Sequence, residues 1–162
     1  MARHSSVEFK ASDYRHPRFW LIWIFFGLLR ITALFPYPAQ LFIGKFLGRL
    51  FQLTSSSRQQ TFNINLQLCF PEKSKVERDK IKNQCFENIG IALLEMSMCW
   101  WWSERRLKPL VEIRGQEHIE AVFKTGRGVI LLTGHFTSLE IGGRLFTLTI
   151  SLQAMYRAQK NL

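Results

Sequence analysis

Acidic residues are scarce in this 162-residue chain: 12 Asp and Glu stand against 22 Lys and Arg, for a formal charge of +10. Such a surplus suits a polyanionic partner, whether nucleic acid, an anionic membrane surface or a phosphorylated lipid. Cysteine is sparse too. Cys69, Cys85 and Cys99 form no C-x-x-C pair and are odd in number, which argues against a disulfide framework or a zinc site and suits a reduced, cytoplasm-facing chain. None has a basic or histidine-rich neighbourhood, so packing rather than nucleophilic chemistry is expected of them. There is no G-x-S-x-G elbow and no Walker lysine, and Gly126-Arg127-Gly128 precedes an apolar run instead of following one. Serine-hydrolase, P-loop and dinucleotide-binding chemistries therefore lack their motifs. No two histidines have metal-ligand spacing, so neither metal nor cofactor is expected, and His118 reads as a surface helix residue.

What is abundant is aromatic: 14% of the chain, with 14 Phe and 5 Trp, which tilts the basic surplus away from nucleic acid and toward a bilayer interface. The run FWLIWIFFGLLRITALF, Phe19 to Phe35, carries one charge, Arg30, and its 17 residues come to roughly 26 Å as a helix. It is expected to span a membrane or to lie in its interface, with Trp20 and Trp23 as anchors. A cleaved signal peptide is disfavoured, because the preceding segment is long and contains Glu8 and Asp13. After Pro36 and Pro38, Leu41, Phe42, Phe46, Leu50 and Phe51 recur at helical spacing around Lys45 and Arg49, the pattern of a basic amphipathic helix. The chain thus divides into a basic segment (1–18), an apolar helix (19–35), an amphipathic basic helix (36–54) and a soluble portion (55–162).

The soluble portion reads as a polar helix, a turn at Cys69-Phe70-Pro71 and a long helix opened by the Ser74/Glu77 capping box, with Ile81, Cys85, Ile89 and Ala92 on its apolar face beside Leu93 and Met96. Trp100-Trp101-Trp102 reads as packing at a helix end. From Leu110 the pattern alternates: strand LVEIR, helix EHIEAVFK, strand GVILLT, helix SLEIGGRLF, strand LQAMYR. That alternation predicts a parallel α/β sheet. It stops at Leu162 with too few helices to close a domain, so the chain is expected to be the N-terminal portion of a longer protein or a truncated frame.

The stretch GHFTSLE places His135 five positions before Glu140. On one regular helix the two would lie roughly 140° apart. With His135 in the turn leaving a strand and Glu140 in the first helical turn, the acid folds back beneath the imidazole, fixing its tautomer and leaving the other nitrogen to take a proton. Two plainer roles compete for Glu140: a capping box with Thr137, and an i, i+4 pair with Arg144.

H-F-T-S-L-E resembles the H-x-x-x-x-D/E motif of the lysophospholipid acyltransferase superfamily. Together with HPRFW (from His16), NLQLCFPE (from Asn65), WWWSERR (from Trp100), GQEHI (from Gly115), GRGVILLTGHFTSLEIGGR (from Gly126) and MYR (from Met155), it looks like the bacterial lipid A biosynthesis acyltransferases of the lauroyl type. The resemblance implies the first part of an acyltransferase α/β domain behind an N-terminal membrane helix. It implies transfer of a secondary acyl chain from acyl carrier protein to the hydroxyacyl hydroxyl of Kdo-lipid IV-A, at the cytoplasmic face of a bacterial inner membrane. His135 would be the general base, Glu140 its orienting acid, and Arg144 and Arg157 contacts to phosphate or carrier protein. The competing expectation is an inactive, membrane-anchored fragment that binds lipid or carrier protein without catalysis.

Overall fold

The computed structural model describes residues 14–153, and every regular element in that range is helical. Helix α1 (Trp20–Thr32) follows a 3-10 turn at Pro17–Phe19, and α2 (Tyr37–Thr54) follows an elbow at residues 33–36. Helix α3 (Ser56–Cys69) and the long α4 (Lys75–Trp101) come next, then the single turn α5 (Glu104–Leu107), α6 (Gln116–Phe123) and α7 (Leu139–Phe146).

The apolar run is interrupted sooner than its composition suggests. Pro36 holds an extended backbone, and Leu34 and Phe35 close short turns onto Ile31 and Thr32, so α1 has 13 residues and is roughly 20 Å long. A bilayer core is about 30 Å thick. The membrane-spanning helix expected over 19–35 is therefore not formed, and among the described residues no helix is long and apolar enough to cross a membrane.

Helix α4 is the spine on which the others lean. Ser74 and Glu77 start it with the expected reciprocal cap: the Ser74 N–H donates to Glu77 Oε2 at 2.8 Å, and the Glu77 N–H donates to Ser74 Oγ at 3.3 Å. Its buried stripe runs through Lys82, Phe86, Gly90, Leu94 and Met98, one position along from the face expected at Ile81, Cys85 and Ile89, which is only half-buried. The physical reason is Gly90. A Cβ there would strike the backbone of Gly44 and Gly48, so the two chains touch where three glycines meet, and the stripe containing Gly90 must face α2. The Lys82 ammonium tolerates burial because it donates to Asp79 Oδ1 and Asn63 Oδ1, both at 2.9 Å. Along the same antiparallel crossing, Arg49 donates to Glu87 at 2.7 Å and Gln52 to Asn83 at 2.8 Å. Phe51 and Phe62 each meet the Phe86 ring at a tilted angle where α2, α3 and α4 come together.

At the C-terminal end of α4, Ala33, Met98, Trp102, Leu107 and Ile141 form the buried cluster, with Tyr37, Cys99, Trp101 and Leu145 around it. The expectation that the triple tryptophan packs at a helix end holds best for Trp102, which is buried, whereas Trp100 is half exposed.

The α/β expectation is corrected here. Among the described residues there is no strand: 111–114 and 128–136 contain no regular element and form no ladder. A strand has no internal hydrogen bonds, and its stability comes from a neighbour's N–H and C=O groups. Neither segment has one. Ile130 and Leu132 are accordingly 95% and 99% exposed although their apolar character reads as a buried strand. The third expected strand, LQAMYR, lies mostly outside the described residues. Helices α6 and α7, by contrast, appear where the alternation placed them.

Candidate functional site

His135 lies in the segment between the unpaired 128–133 run and α7. The Phe136 N–H donates to the Gly134 carbonyl at 3.0 Å and the Leu139 N–H to the Phe136 carbonyl at 3.1 Å, so the chain turns at His135 into the helix. Gly134 accommodates this turn: a Cβ there would come within 2.8 Å of the Phe136 ring. Glu140 then falls in the first turn of α7 and Arg144 in its last. His135 thus stands before a turn and Glu140 in the first helical turn, without the strand expected ahead of His135. Both His135 and Glu140 are solvent-exposed, however, and no hydrogen bond or ion pair joins them.

Neither plainer role for Glu140 is realised. Ser138, not Thr137, stands at the N-cap of α7 and makes no side-chain capping bond. Arg144 Nη1 turns to the Thr147 hydroxyl at 3.5 Å and forms no ion pair with Glu140. The Glu140 carboxylate is thus uncommitted to local structure. Arg157 lies outside the described residues.

Helix α7 is anchored through Ile141, which joins Met98 and Trp102 in the buried cluster, and through Leu145 beside them. This seating brings Glu140 and Arg144 toward Cys99. Burial pushes the Cys99 thiol up to about 11, and the nearby carboxylates of Glu140 and Glu95 add to the rise. A thiol so placed stays protonated and is a poor nucleophile, in line with its expected packing role. One turn earlier, burial raises Glu95 above the ordinary carboxylate value, opposed by a hydrogen bond from Tyr37 Oη to Glu95 Oε1 at 3.3 Å. Burial followed by the Glu95 charge likewise raises Tyr37. The Tyr37/Glu95 pair was not legible beforehand, since nothing in the spacing of 37 and 95 signals contact.

WWWSERR carries a second feature that sequence reasoning read only as packing. Trp102 Nε1 donates to the Ala33 carbonyl at 2.6 Å. Arg106 donates to the same carbonyl and to that of Phe35, both at 3.1 Å, with its guanidinium 3.8 Å from the centre of the Trp102 ring. These donors satisfy carbonyls at the end of α1, where a helix has no partners of its own and where a cation is favoured. The motif therefore fixes the α1–α2 elbow against the end of α4 that also seats α7.

The chain belongs to the bacterial lipid A biosynthesis acyltransferase family, whose model matches residues 8–162. It is 38% identical over 146 residues to the lipid A biosynthesis lauroyltransferase of Escherichia coli (strain K12), covering 90% of this chain and 48% of that protein. It is 34% identical over 149 residues to the palmitoleoyltransferase of the same organism, covering 92% and 49%, and 33% identical over 159 residues to its myristoyltransferase, covering 95% and 48%. The chain spans about half the length of these curated relatives. No solved structure matches it.

Proposed function

We propose that this protein transfers a secondary fatty acyl chain, lauroyl, from an acyl carrier protein thioester to the hydroxyacyl hydroxyl of a lipid A precursor, Kdo-lipid IV-A, at the cytoplasmic face of a bacterial inner membrane. The observation that carries the reading is the Glu140 carboxylate, five residues after His135 and free of any capping or ion-pair role, within a chain that belongs to this family. The 38% likeness to a lauroyltransferase supports the acyl chain, and the +10 charge suits a bisphosphorylated acceptor.

In this mechanism His135 removes the proton of the acceptor hydroxyl as its oxygen attacks the thioester carbonyl. Glu140, unbonded to His135 in this structure, is assigned to hydrogen-bond the other ring nitrogen in the substrate complex and hold the tautomer. The tetrahedral adduct collapses with cleavage of the carbon–sulfur bond, and the departing thiolate recovers the proton from His135. A thioester is already activated, so no covalent acyl-enzyme is required. Arg144 and Arg157 are assigned to phosphate or carrier-protein contacts.

The test is acyl transfer by membranes containing the protein, with lauroyl, myristoyl and palmitoleoyl carrier-protein thioesters in competition. His135→Ala is expected to lower turnover by about 10²–10⁴. Wild-type turnover in a folded His135→Ala variant would refute the mechanism, and preference for another thioester would refute the lauroyl assignment.

A further inference from the structure

Three polar side chains meet in the seam between the start of α2 and the last turns of α4. Gln40 is only 2% exposed. Its Nε2 donates to the Phe35 carbonyl at 3.1 Å, but its buried Oε1 receives no hydrogen bond among the described residues. Gln40 shares a narrow void with Tyr37 and Glu95, walled by Leu41, Leu94 and Met98, and no water fits inside it. An orphaned buried acceptor is costly, and where water cannot enter, its donor has to come from the walls. Tyr37 is already committed, since its Oη donates to Glu95 Oε1 at 3.3 Å. The remaining polar wall is the Glu95 carboxyl, which donates only when it is protonated.

We infer that Glu95, Gln40 and Tyr37 form a proton-operated latch on the α1–α2 elbow, closed when protonated Glu95 donates to Gln40 Oε1 while Gln40 Nε2 holds the Phe35 carbonyl. Once charged, Glu95 draws the Gln40 amide N–H to itself, and the Phe35 carbonyl is left to Arg106. The latch lies at a joint: the Ala33 carbonyl of the same elbow receives Trp102, and Tyr37 packs on the buried cluster that seats α7.

No cation neutralises Glu95 by an ion pair among the described residues. The groups that face it are Tyr37 of α2 and Cys99 one turn along α4, with Glu140 and Arg144 of α7 near Cys99. Arg106 of α5 is spent on the elbow carbonyls, and Arg30 of α1 lies over Trp101. Burial lifts Glu95 above the ordinary carboxylate value, so the latch closes in weak acid and opens as pH rises. This inference goes beyond the acyl-transfer reading and does not rest on it.

Amide hydrogen exchange reads the elbow through the N–H groups of Leu34, Phe35, Ala39 and Gln40, which bond within it. After correction for intrinsic exchange, wild-type protection is expected to be about fivefold greater at about pH 5 than at about pH 7.5, the worth of one net hydrogen bond. Glu95→Gln, whose amide donates at every pH, is expected to keep the high protection at both. Gln40→Met is expected to remove the difference. Tyr37→Phe, which loses a bond to the charged form, is expected to move the transition to higher pH, a shift that a packing role alone does not produce. Equal wild-type protection at the two pH values overturns the inference, as does a difference that persists in Glu95→Gln. A folded Gln40→Met variant with the wild-type difference overturns it too; if that variant fails to fold, Glu95→Gln and Tyr37→Phe decide.

Discussion

The Trp102 indole reaches across 69 positions of sequence to donate to the Ala33 carbonyl at 2.6 Å, and Arg106 donates to that same oxygen while covering the indole ring. One carbonyl at the end of α1 thus holds two donors from the motif that follows α4. Because Arg106 remains when the indole N–H is lost, Trp102→Phe is expected to cost only about 1 kcal/mol. Combined with Arg106→Met, the loss is expected to exceed the sum of the single changes by about 0.5–3 kcal/mol, since the carbonyl is then buried with no partner. Urea unfolding of the four proteins in the double-mutant cycle measures this.

The glycine crossing makes a contrasting pair of expectations. A Cβ at Gly48 would lie 2.7 Å from the Glu87 Cα, and that neighbour is backbone, so Gly48→Ala is expected to destabilise by about 1–3 kcal/mol. At Gly27 in α1 nothing lies within 4 Å, and Gly27→Ala is expected to stabilise by about 0.5–1 kcal/mol through its better helix propensity. Equal effects of the two substitutions would rule out backbone contact between α2 and α4.

Acid should loosen the start of α4. Hydrogen bonds from Lys82 and Lys75 lower Asp79 from 3.8 to about 2, and bonds with the Ser74 side chain and backbone lower Glu77 below its ordinary 4.5. A carboxylate depressed in the folded state contributes stability that is complete above its unfolded value and lost as pH falls through its folded value. Melting temperature is therefore expected to hold down to about pH 5 and then fall toward about pH 2, with a shallower fall in Asp79→Asn. An unchanged acid limb in that variant would show that Asp79 is not the group responsible.

Glu95 should act with the opposite sign. Its raised value means that the half-buried charged form is disfavoured in the fold, so this group's contribution is greatest at low pH and is lost as pH rises above 4.5. Glu95→Gln is expected to raise the melting temperature at neutral pH and to have little effect in acid. A variant no more stable than the wild type at neutral pH would overturn this.

Stability and chemistry should separate at the candidate site. His135 and Glu140 are exposed and make no packing contact in the buried cluster, so His135→Ala and Glu140→Gln are expected to change unfolding free energy by no more than about 0.5 kcal/mol. Ile141→Ala, one residue on, is expected to cost about 2–5 kcal/mol because it removes a buried side chain that anchors α7. Thermal unfolding of the three variants compares the two effects.

Local signals were readable wherever the cause is local. The Ser74/Glu77 box, the turn at Phe70-Pro71, the positions of α6 and α7 and the surface place of His118 follow from neighbours a few residues apart, as do the family motifs around His135. The expectations that failed depend on distant partners. An apolar stretch such as VILLT becomes a strand only beside another, and the length of an apolar run predicts a membrane span only where no proline elbow cuts it short.

Within α4, periodicity alone identified an amphipathic helix, yet the stripe actually buried is the one carrying Gly90, because backbone-to-backbone approach with Gly44 and Gly48 outweighs the burial of Ile81 and Ile89. The sequence by itself determined the capped start of α4, the places of α6 and α7, the family and the identity of the candidate histidine and acid, all legible from short motifs. Only the tertiary structure decided that Trp102 and Arg106 bind the α1–α2 elbow, that Glu140 is neither cap nor ion-pair partner, and that the aromatic face of α2 points outward. Those facts arise from packing against one central helix, whose partners lie tens of residues away along the chain.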